Sequence, residues 1–218
     1  MTKSVFGLVP TKKIFEVYEE IVSKADRAFE SMKKEFPDEV RCKLHCTECC
    51  YAVFGLFLIE AVRIRNQFEL LDEKTREGAL ARCESAEKDL ALLQQKLEKY
   101  KNDREQIIRL VGRQKIRCPL LGENDECILY GSRPITCRVY GIPVTIRGKS
   151  RVCSKAGFKG GKYYSSFDLD QVNKQLYVLS KAFLERIYGT DPSKASFLLA
   201  MPRILKTPTD DLVAEVFR

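Results

Sequence analysis

Residues 83–107, CESAEKDLALLQQKLEKYKNDREQI, decide the fold class. Cys83, Ala86, Leu90, Leu93, Leu97, Tyr100, Arg104 and Ile107 recur at alternating steps of three and four, the spacing of a helix that lies along another helix. Only Arg104 interrupts the apolar series. A small thiol suits such a seam, so Cys83 reads as core and not as a ligand. Just upstream, LIEAVRIRNQFELLDEK (58–74) has a helical pattern of its own that is expected to end near Gly78. The two segments form either a helical hairpin or one long interrupted helix.

Toward the N-terminus, Ile14, Tyr18, Ile21, Ala25, Ala28 and Met32 mark one face of an amphipathic helix, which Pro37 is expected to close. Between Pro37 and the seam lie RCKLHCTECCY (41–51) and AVFGLFLIEAVRI (52–64). The apolar density of the latter predicts a helix entry packed in the core, and it is too short and too soon charged to span a membrane. Toward the C-terminus, RCPLLGENDECILYGSRPITCRVYG (117–141) is rich in turn formers, with GEND (122–125) as an exposed loop. IPVTIRGKSRVC (142–153) alternates as a short strand or hairpin would. Asp168 reads as the N-cap of a helix whose face carries Leu169, Val172, Leu176, Leu179, Phe183 and Ile187, and Gly189 as its end. The tail from Thr190, with three prolines, is expected to drape over the body and to close on a short helix. The expected fold is mostly α, a helical bundle or hairpin with a compact irregular cysteine-rich lobe and a short β hairpin. It forms one domain over 1–218, with a long helical insertion at about 56–112 and a helical C-terminal region at about 168–218.

A chain of 218 residues that is 44% hydrophobic has enough material for a buried core. No signal-peptide-like apolar run opens it, which predicts a cytoplasmic protein with no membrane partner. Nine cysteines in a reducing compartment do not form a disulfide framework, and the odd count leaves one unpaired, so metal binding leads. The net charge of +8 is spread among acidic residues, as in KADRAFESMKKEFPDEVR (24–41), and lends nucleic-acid binding only slender support.

Cys42, Cys46, Cys49 and Cys50 fall within nine residues as C-x3-C-x2-C-C. That spacing lets a turning backbone aim several thiolates at one point. Cys118, Cys127, Cys137 and Cys153 form a second set, which the fold must bring to the first across the helical spacer. Eight thiolates suffice for two four-coordinate sites, or for one cluster with neutral thiols left over. His45, the chain's one histidine, reads as a neighbour of the site in preference to a ligand or base. Arg133 and Arg138 flank Cys137 and, with Tyr130 and Tyr140, are candidates to offset the charge of a thiolate centre, while Pro134 stiffens the turn. Helical periodicity turns Glu60 outward to water.

These residues resemble a known family. C-x3-C-x2-C-C followed by CPLL, C-x-L-Y-x2-R-P-x2-C-R and YG is similar to the YkgJ-like cysteine-cluster family of zinc- or iron-chelating domains, over residues 42 to 153. The resemblance implies that Cys42, Cys46, Cys49, Cys50, Cys118, Cys127 and Cys137 are ligands, with Cys153 a less regular fit. Flagellin lysine methylases have a similar cluster, which makes methyl transfer to protein lysine one implied activity.

Zinc modules pair two tight C-x2-4-C knuckles, whereas the second set here is widely spaced, and iron–sulfur clusters accept scattered cysteines. The expectation is therefore an iron–sulfur cluster of the 4Fe-4S type with a redox, electron-transfer or cluster-dependent enzymatic role and a redox or protein partner. The alternative is a zinc-stabilised module that docks a protein or nucleic acid. No G-x-G-x-x-G follows a predicted strand and GFKGGK (157–162) lacks P-loop spacing, so nucleotide binding has no motif behind it. A serine or cysteine hydrolase has still less behind it, since the lone His45 lies among the expected ligands.

Overall fold

The computed structural model describes residues 10–188 and 195–217. Eight α-helices are present among them: α1 (Pro10–Glu35), α2 (Leu58–Glu69), α3 (Glu73–Glu98), α4 (Arg104–Arg113), α5 (Ile135–Arg138), α6 (Leu169–Tyr188), α7 (Met201–Lys206) and α8 (Thr209–Phe217). Three short strands, β1 (Val144–Ile146), β2 (Lys149–Arg151) and β3 (Phe167–Asp168), stand in the order β2-β1-β3. The mostly helical reading holds. No described helix is long and apolar enough to cross a membrane.

Helix α2 is the centre of the core. Leu58, Ile59, Glu60, Ala61, Val62 and Ile64 are all buried in it, so it has no solvent face over its first turn and packs against α6, α7 and α8. Its N-terminus is capped from a distance, because Ile59 N–H donates to the buried Ser180 hydroxyl of α6 at 3.1 Å. Ahead of it the chain is extended: Leu56 and Leu199 exchange both backbone hydrogen bonds at 2.9 Å. The predicted helix entry therefore starts six residues into AVFGLFLIEAVRI, at Leu58.

Helix α3 begins at Asp72, whose carboxylate accepts from Thr75 N–H at 3.0 Å, and runs through Gly78 without a break. The boundary between the two predicted segments thus lies at Leu70–Asp72, and Gly78 is a helical residue. The seam splits as well. Cys83, Ala86 and Leu93 are buried, but a turn at Tyr100–Asp103 separates them from Arg104 and Ile107 on α4. Asp103 caps α4 through Gln106 N–H, a local signal strong enough to end the a/d register. Helix α7 packs on both α2 and α3, while Ala86 and Leu93 of the seam cluster with Ile116, Val53, Leu90 and Leu97.

The hairpin β1-β2 turns on Arg147 and Gly148, both with positive φ (54° and 68°), as a two-residue type I′ loop requires. Asp170 accepts from both turn amides, at 2.8 and 2.9 Å, which ties the hairpin to the first turn of α6. The parallel pairing of β3 with β1 had no sequence signal. Asp168 caps α6 through Gln171 N–H at 2.9 Å, and Leu169, Val172, Leu176, Leu179 and Phe183 are buried as expected. The predicted stop at Gly189 lies outside the described residues.

The tail closes on a short helix, α8, as expected, but it packs into the core where draping was expected. It forms α7 and α8, and Ile204, Leu205, Leu212, Val213 and Val216 are at most 1% exposed in the main core. Pro202 sits in the first turn of α7, where its missing N–H costs nothing, so a proline read as a sign of irregular chain starts a helix instead. Truncating Leu212 to alanine is expected to lower unfolding free energy by about 2–5 kcal/mol, read from urea denaturation.

Candidate metal centre

The first cysteine stretch leaves α1 at Phe36 and turns twice. Cys46 N–H donates to Lys43 O (3.0 Å), and His45 takes the left-handed conformation (φ 65°). Cys50 N–H then donates to Thr47 O (2.8 Å), and Glu48–Tyr51 form one 3₁₀ turn that presents Cys49 and Cys50 side by side, Sγ to Sγ 4.0 Å. The second stretch docks on this turn through its backbone. Ile116 N–H donates to Tyr51 O at 3.1 Å and Cys118 N–H to Cys50 O at 2.7 Å, which places Cys118 beside Cys50 across 68 positions of sequence. Arg82 of α3 holds the Cys118-Pro119 step, its Nε donating to Pro119 O at 2.8 Å.

Cys127 pairs with Leu121 across the exposed turn that GEND makes. His45 closes over that turn: its Nδ1 lies 3.0 Å from Asn124 O and its Nε2 3.7 Å from Glu126 Oε1. The histidine thus joins the two stretches through the loop, with its ring nitrogens engaged by that loop. Cys137 rides on the single turn of α5, which Pro134 precedes.

Glu60 corrects the outward expectation. It is 3% exposed, and its carboxylate accepts from Ile135 N–H, the first amide of α5, at 2.9 Å. Burial pushes its carboxyl up to about 7, against the pull of the Ile135 hydrogen bond and of Arg138. Periodicity failed because α2 is buried on every side, so no residue of that turn faces water.

The cysteines fall into an inner and an outer group that meet at a small cleft lined by Cys42, Cys46, Cys49, Cys50 and Cys127. Cys49, Cys50, Cys118, Cys127 and Cys137 line an inner cleft of about 80 Å³ whose other walls include Val53, Phe54, Leu90, Ile116 and Met201. Cys42, Cys46, Cys49 and Cys153 line an outer, more polar cleft with Lys43, His45, Glu48, Tyr140 and Lys155. All nine cysteines are free thiols; Cys50 and Cys83 are buried, and the rest are half-buried. Cys83 lies in the α3 core and on neither cleft wall.

Hydrogen bonding with Cys137 and with Cys50 lowers the Cys49 thiol far below its usual range, and raises those two partners. Burial pushes Cys118 up to about 12 and Cys42 to about 11, and it raises Cys127. Loading a metal on the raised thiols releases protons. Tyr140 is also pushed up, to about 12, by burial and then by Cys153.

Of the candidate charge-offsetting residues, Arg133 lines the inner cleft, stacked over the Tyr130 ring at 3.6 Å with Nε donating to Tyr130 O. Arg138 turns away. It forms a bidentate pair with Asp26 of α1 (2.9 and 2.8 Å) and donates to the Arg133 and Gly131 carbonyls, so it fastens α5 to α1. Glu48, which sequence reasoning passed over, pairs with Lys115 and Lys155, both at 2.8 Å, and its carboxyl is held below the usual range by these bonds. One side chain thus clamps both cysteine stretches and the segment after Cys153. Its position inside C-T-E-C-C, with lysines near each later stretch, was the available signal.

Gly141 marks a close approach. A Cβ there would stand 2.5 Å from Cys42 Cβ and 3.3 Å from both Cys42 Sγ and Phe29. Gly141→Ala is expected to displace Cys42 and cost about 1–3 kcal/mol, measured by urea denaturation beside the metal content.

The donors gathered here are all cysteine sulfurs. As the side chains stand, however, no group of three His, Cys, Asp or Glu donors among the described residues closes on a position for a single ion. Two cysteine-rich stretches, brought to one place by backbone pairing and floored by a helical core, define a cysteine-chelated metal-binding domain. Residues 41–154, over half of the chain, match the model of the CxxCxxCC family, described as "Putative zinc- or iron-chelating domain". The chain belongs to that family, and membership supports metal binding through its cysteines. No curated protein and no solved structure matches it.

Proposed function

We propose that the inner cleft holds an iron–sulfur cluster of the 4Fe-4S type and that the protein serves in redox or electron transfer, or as a cluster-dependent enzyme. The observation that carries this reading is the lining of one apolar cleft by five thiols. A zinc ion with bonds of about 2.3 Å needs four sulfurs roughly 3.8 Å apart. Cys49 and Cys50, at 4.0 Å, approach that separation and Cys137 is hydrogen-bonded to Cys49, but no group of three donors among the described residues closes on one ion. Cysteines drawn to one cleft from scattered positions suit a cluster, which accepts wide spacing. Cys50, Cys118, Cys127 and Cys137 are the candidate ligands, with Cys49 as a fifth thiolate at the junction of the clefts and Cys42, Cys46 and Cys153 available on the outer side.

When bound, such a cluster supplies one-electron chemistry at a potential set by its surroundings. The chain's contributions are the apolar walls, which keep water away, and the Arg133 guanidinium, which offsets the charge of about −2 on a four-thiolate centre. We read the protein as cytoplasmic with a redox partner, because such a centre needs its thiols kept reduced. Zinc in the Cys49–Cys50 corner is the second reading, favoured by their 4.0 Å separation.

The test is anaerobic purification, an absorption spectrum, and iron, zinc and acid-labile sulfide measured per chain. Brown protein with matched iron and sulfide is the expected result. Colourless protein with stoichiometric zinc overturns it and makes the centre structural.

A further inference from the structure

Three cysteines, Cys42, Cys46 and Cys153, stand outside the inner cleft, and all three are half-buried. With Cys49 they line the outer cleft, which is the roomier of the two at about 480 Å³ against about 80 Å³. A third cleft, of about 30 Å³, has Cys42 and Cys46 of the outer group and Cys49, Cys50 and Cys127 of the inner group in its walls. Cysteine sulfurs therefore line each stage from the outer cleft to the inner one.

An ion on its way inward needs that continuity. The inner walls are apolar at Val53, Phe54, Leu90 and Met201, and a charge that leaves water for such walls is held only where a ligand replaces the water. Thiolates are soft ligands that suit zinc and the iron of iron–sulfur clusters alike. The rim of the outer cleft carries a second signal. Its one carboxylate, Glu48, is already paired with Lys115 and Lys155. Arg41 and Lys43 on the same rim are exposed and take part in no ion pair among the described residues. A rim of that sign repels a free metal ion and draws in an anionic complex of one.

We propose that the outer cleft is the entry site of the metal centre. It receives iron as an anionic carboxylate chelate, and Cys42, Cys46 and Cys153 take the ion over and pass it by way of Cys49 to the inner cysteines. The proposal rests on the reading of the inner cleft as the resident site. At entry, iron–oxygen bonds to the chelator break as iron–sulfur bonds form, and each incoming thiol gives its proton to water. Each later transfer exchanges one iron–sulfur bond for another, and the sulfur left behind takes a proton back. The oxidation state of the iron does not change in any of these steps.

The experiment times cluster assembly in the full-length apo-protein under anaerobic conditions. Iron citrate is supplied with ferrous and ferric iron in equal amounts, so that no oxidant is needed, together with sulfide. Visible absorbance gives the rate, and iron and sulfide per chain give the end point. In the double variant Cys46→Ala with Cys153→Ala the initial rate is expected to fall at least about tenfold with the final content unchanged, the scale on which residues that support a metal site act. Cys42 is kept because it packs closely on Gly141. Lys43→Glu, at an exposed position, is expected to slow loading from citrate roughly three- to tenfold, and high salt to slow the wild type in the same direction. Zinc is offered in parallel as citrate and as chloride, its uptake followed by a chromogenic indicator: the double variant should slow both, and Lys43→Glu only the citrate. Equal rates in the double variant and the wild type would take the outer cysteines off the path, and a lower final content would make them resident ligands; either result overturns the proposal. Loading from citrate that ignores Lys43→Glu would overturn the anionic chelate. A wild type that assembles no cluster overturns the reading of the inner cleft instead, and the zinc rates then decide the entry site.

Discussion

Replacing Cys118 with alanine is expected to cut the metal retained after anaerobic desalting by at least about tenfold, the scale on which even supporting residues of metal sites act. Cys83→Ala in parallel should keep the wild-type content. Both cysteines are well shielded and both are pushed up by burial, to about 12 and about 11, so titration does not separate them; position does. The Cys118 amide is bonded to Cys50 O at 2.7 Å, and its thiol lines the inner cleft, while Cys83 is packed in the α3 core. Cys153→Ala divides the two clefts: it should spare the chromophore if the inner cleft holds the cluster. Full metal retention in Cys118→Ala would remove the inner cleft from consideration, and loss in Cys83→Ala would mean that metal content follows folding. Thermal unfolding of each variant separates these outcomes.

Glu60→Gln is expected to make the protein more stable than wild type at pH 8 and leave the two nearly equal at pH 5. The Glu60 carboxyl is raised by burial from its ordinary 4.5 to about 7, so between those values the folded chain holds a proton that the unfolded chain has released. The stability this group contributes is complete below pH 4.5 and is lost as pH rises through about 7. The loss is on the order of 3 kcal/mol. Glutamine keeps an oxygen to accept from Ile135 N–H and carries no charge, which removes this dependence. The groups facing Glu60 are Arg138 of α5 and Tyr18 of α1, whose hydroxyl is itself raised far above its usual range by burial and then by Glu60. Urea unfolding of both proteins at pH 5, 6, 7 and 8 gives the difference directly, since the thiols contribute equally to each. A difference that does not change with pH would place the Glu60 carboxylate in its ordinary range. Glu60→Leu tests the other half of the role: it strands the buried Ile135 amide and is expected to cost about 1–3 kcal/mol at pH 5.

Particular elements show how much of this was legible in the chain itself. Asp168 followed by Leu169, Val172, Leu176, Leu179 and Phe183 holds an N-cap and an apolar stripe within one helix, and both appear where local chemistry puts them. The Arg147-Gly148 turn and the exposed GEND loop are equally local. Gly78 misled because a single glycine is tolerated inside a long helix, while the Asp72 cap set the boundary. The tail misled because prolines were taken as breakers when Pro202 sits where a helix starts.

In the centre itself, the cysteine spacing by itself determined that thiolates would gather and that the chain belongs with metal-chelating domains, since residue type and spacing are chemistry that needs no fold. The tertiary structure alone decided which thiols share a cleft. Cys118 reaches Cys50 by two backbone hydrogen bonds across 68 positions, and Cys137 is set by a carboxylate 77 positions before it that caps its helix. It also decided that Glu60 is buried, that Arg138 serves Asp26, and that Glu48 clamps three segments. Such pairings join residues tens of positions apart, and no local periodicity encodes them; they exist only once the apolar faces of α2, α6, α7 and α8 have packed together.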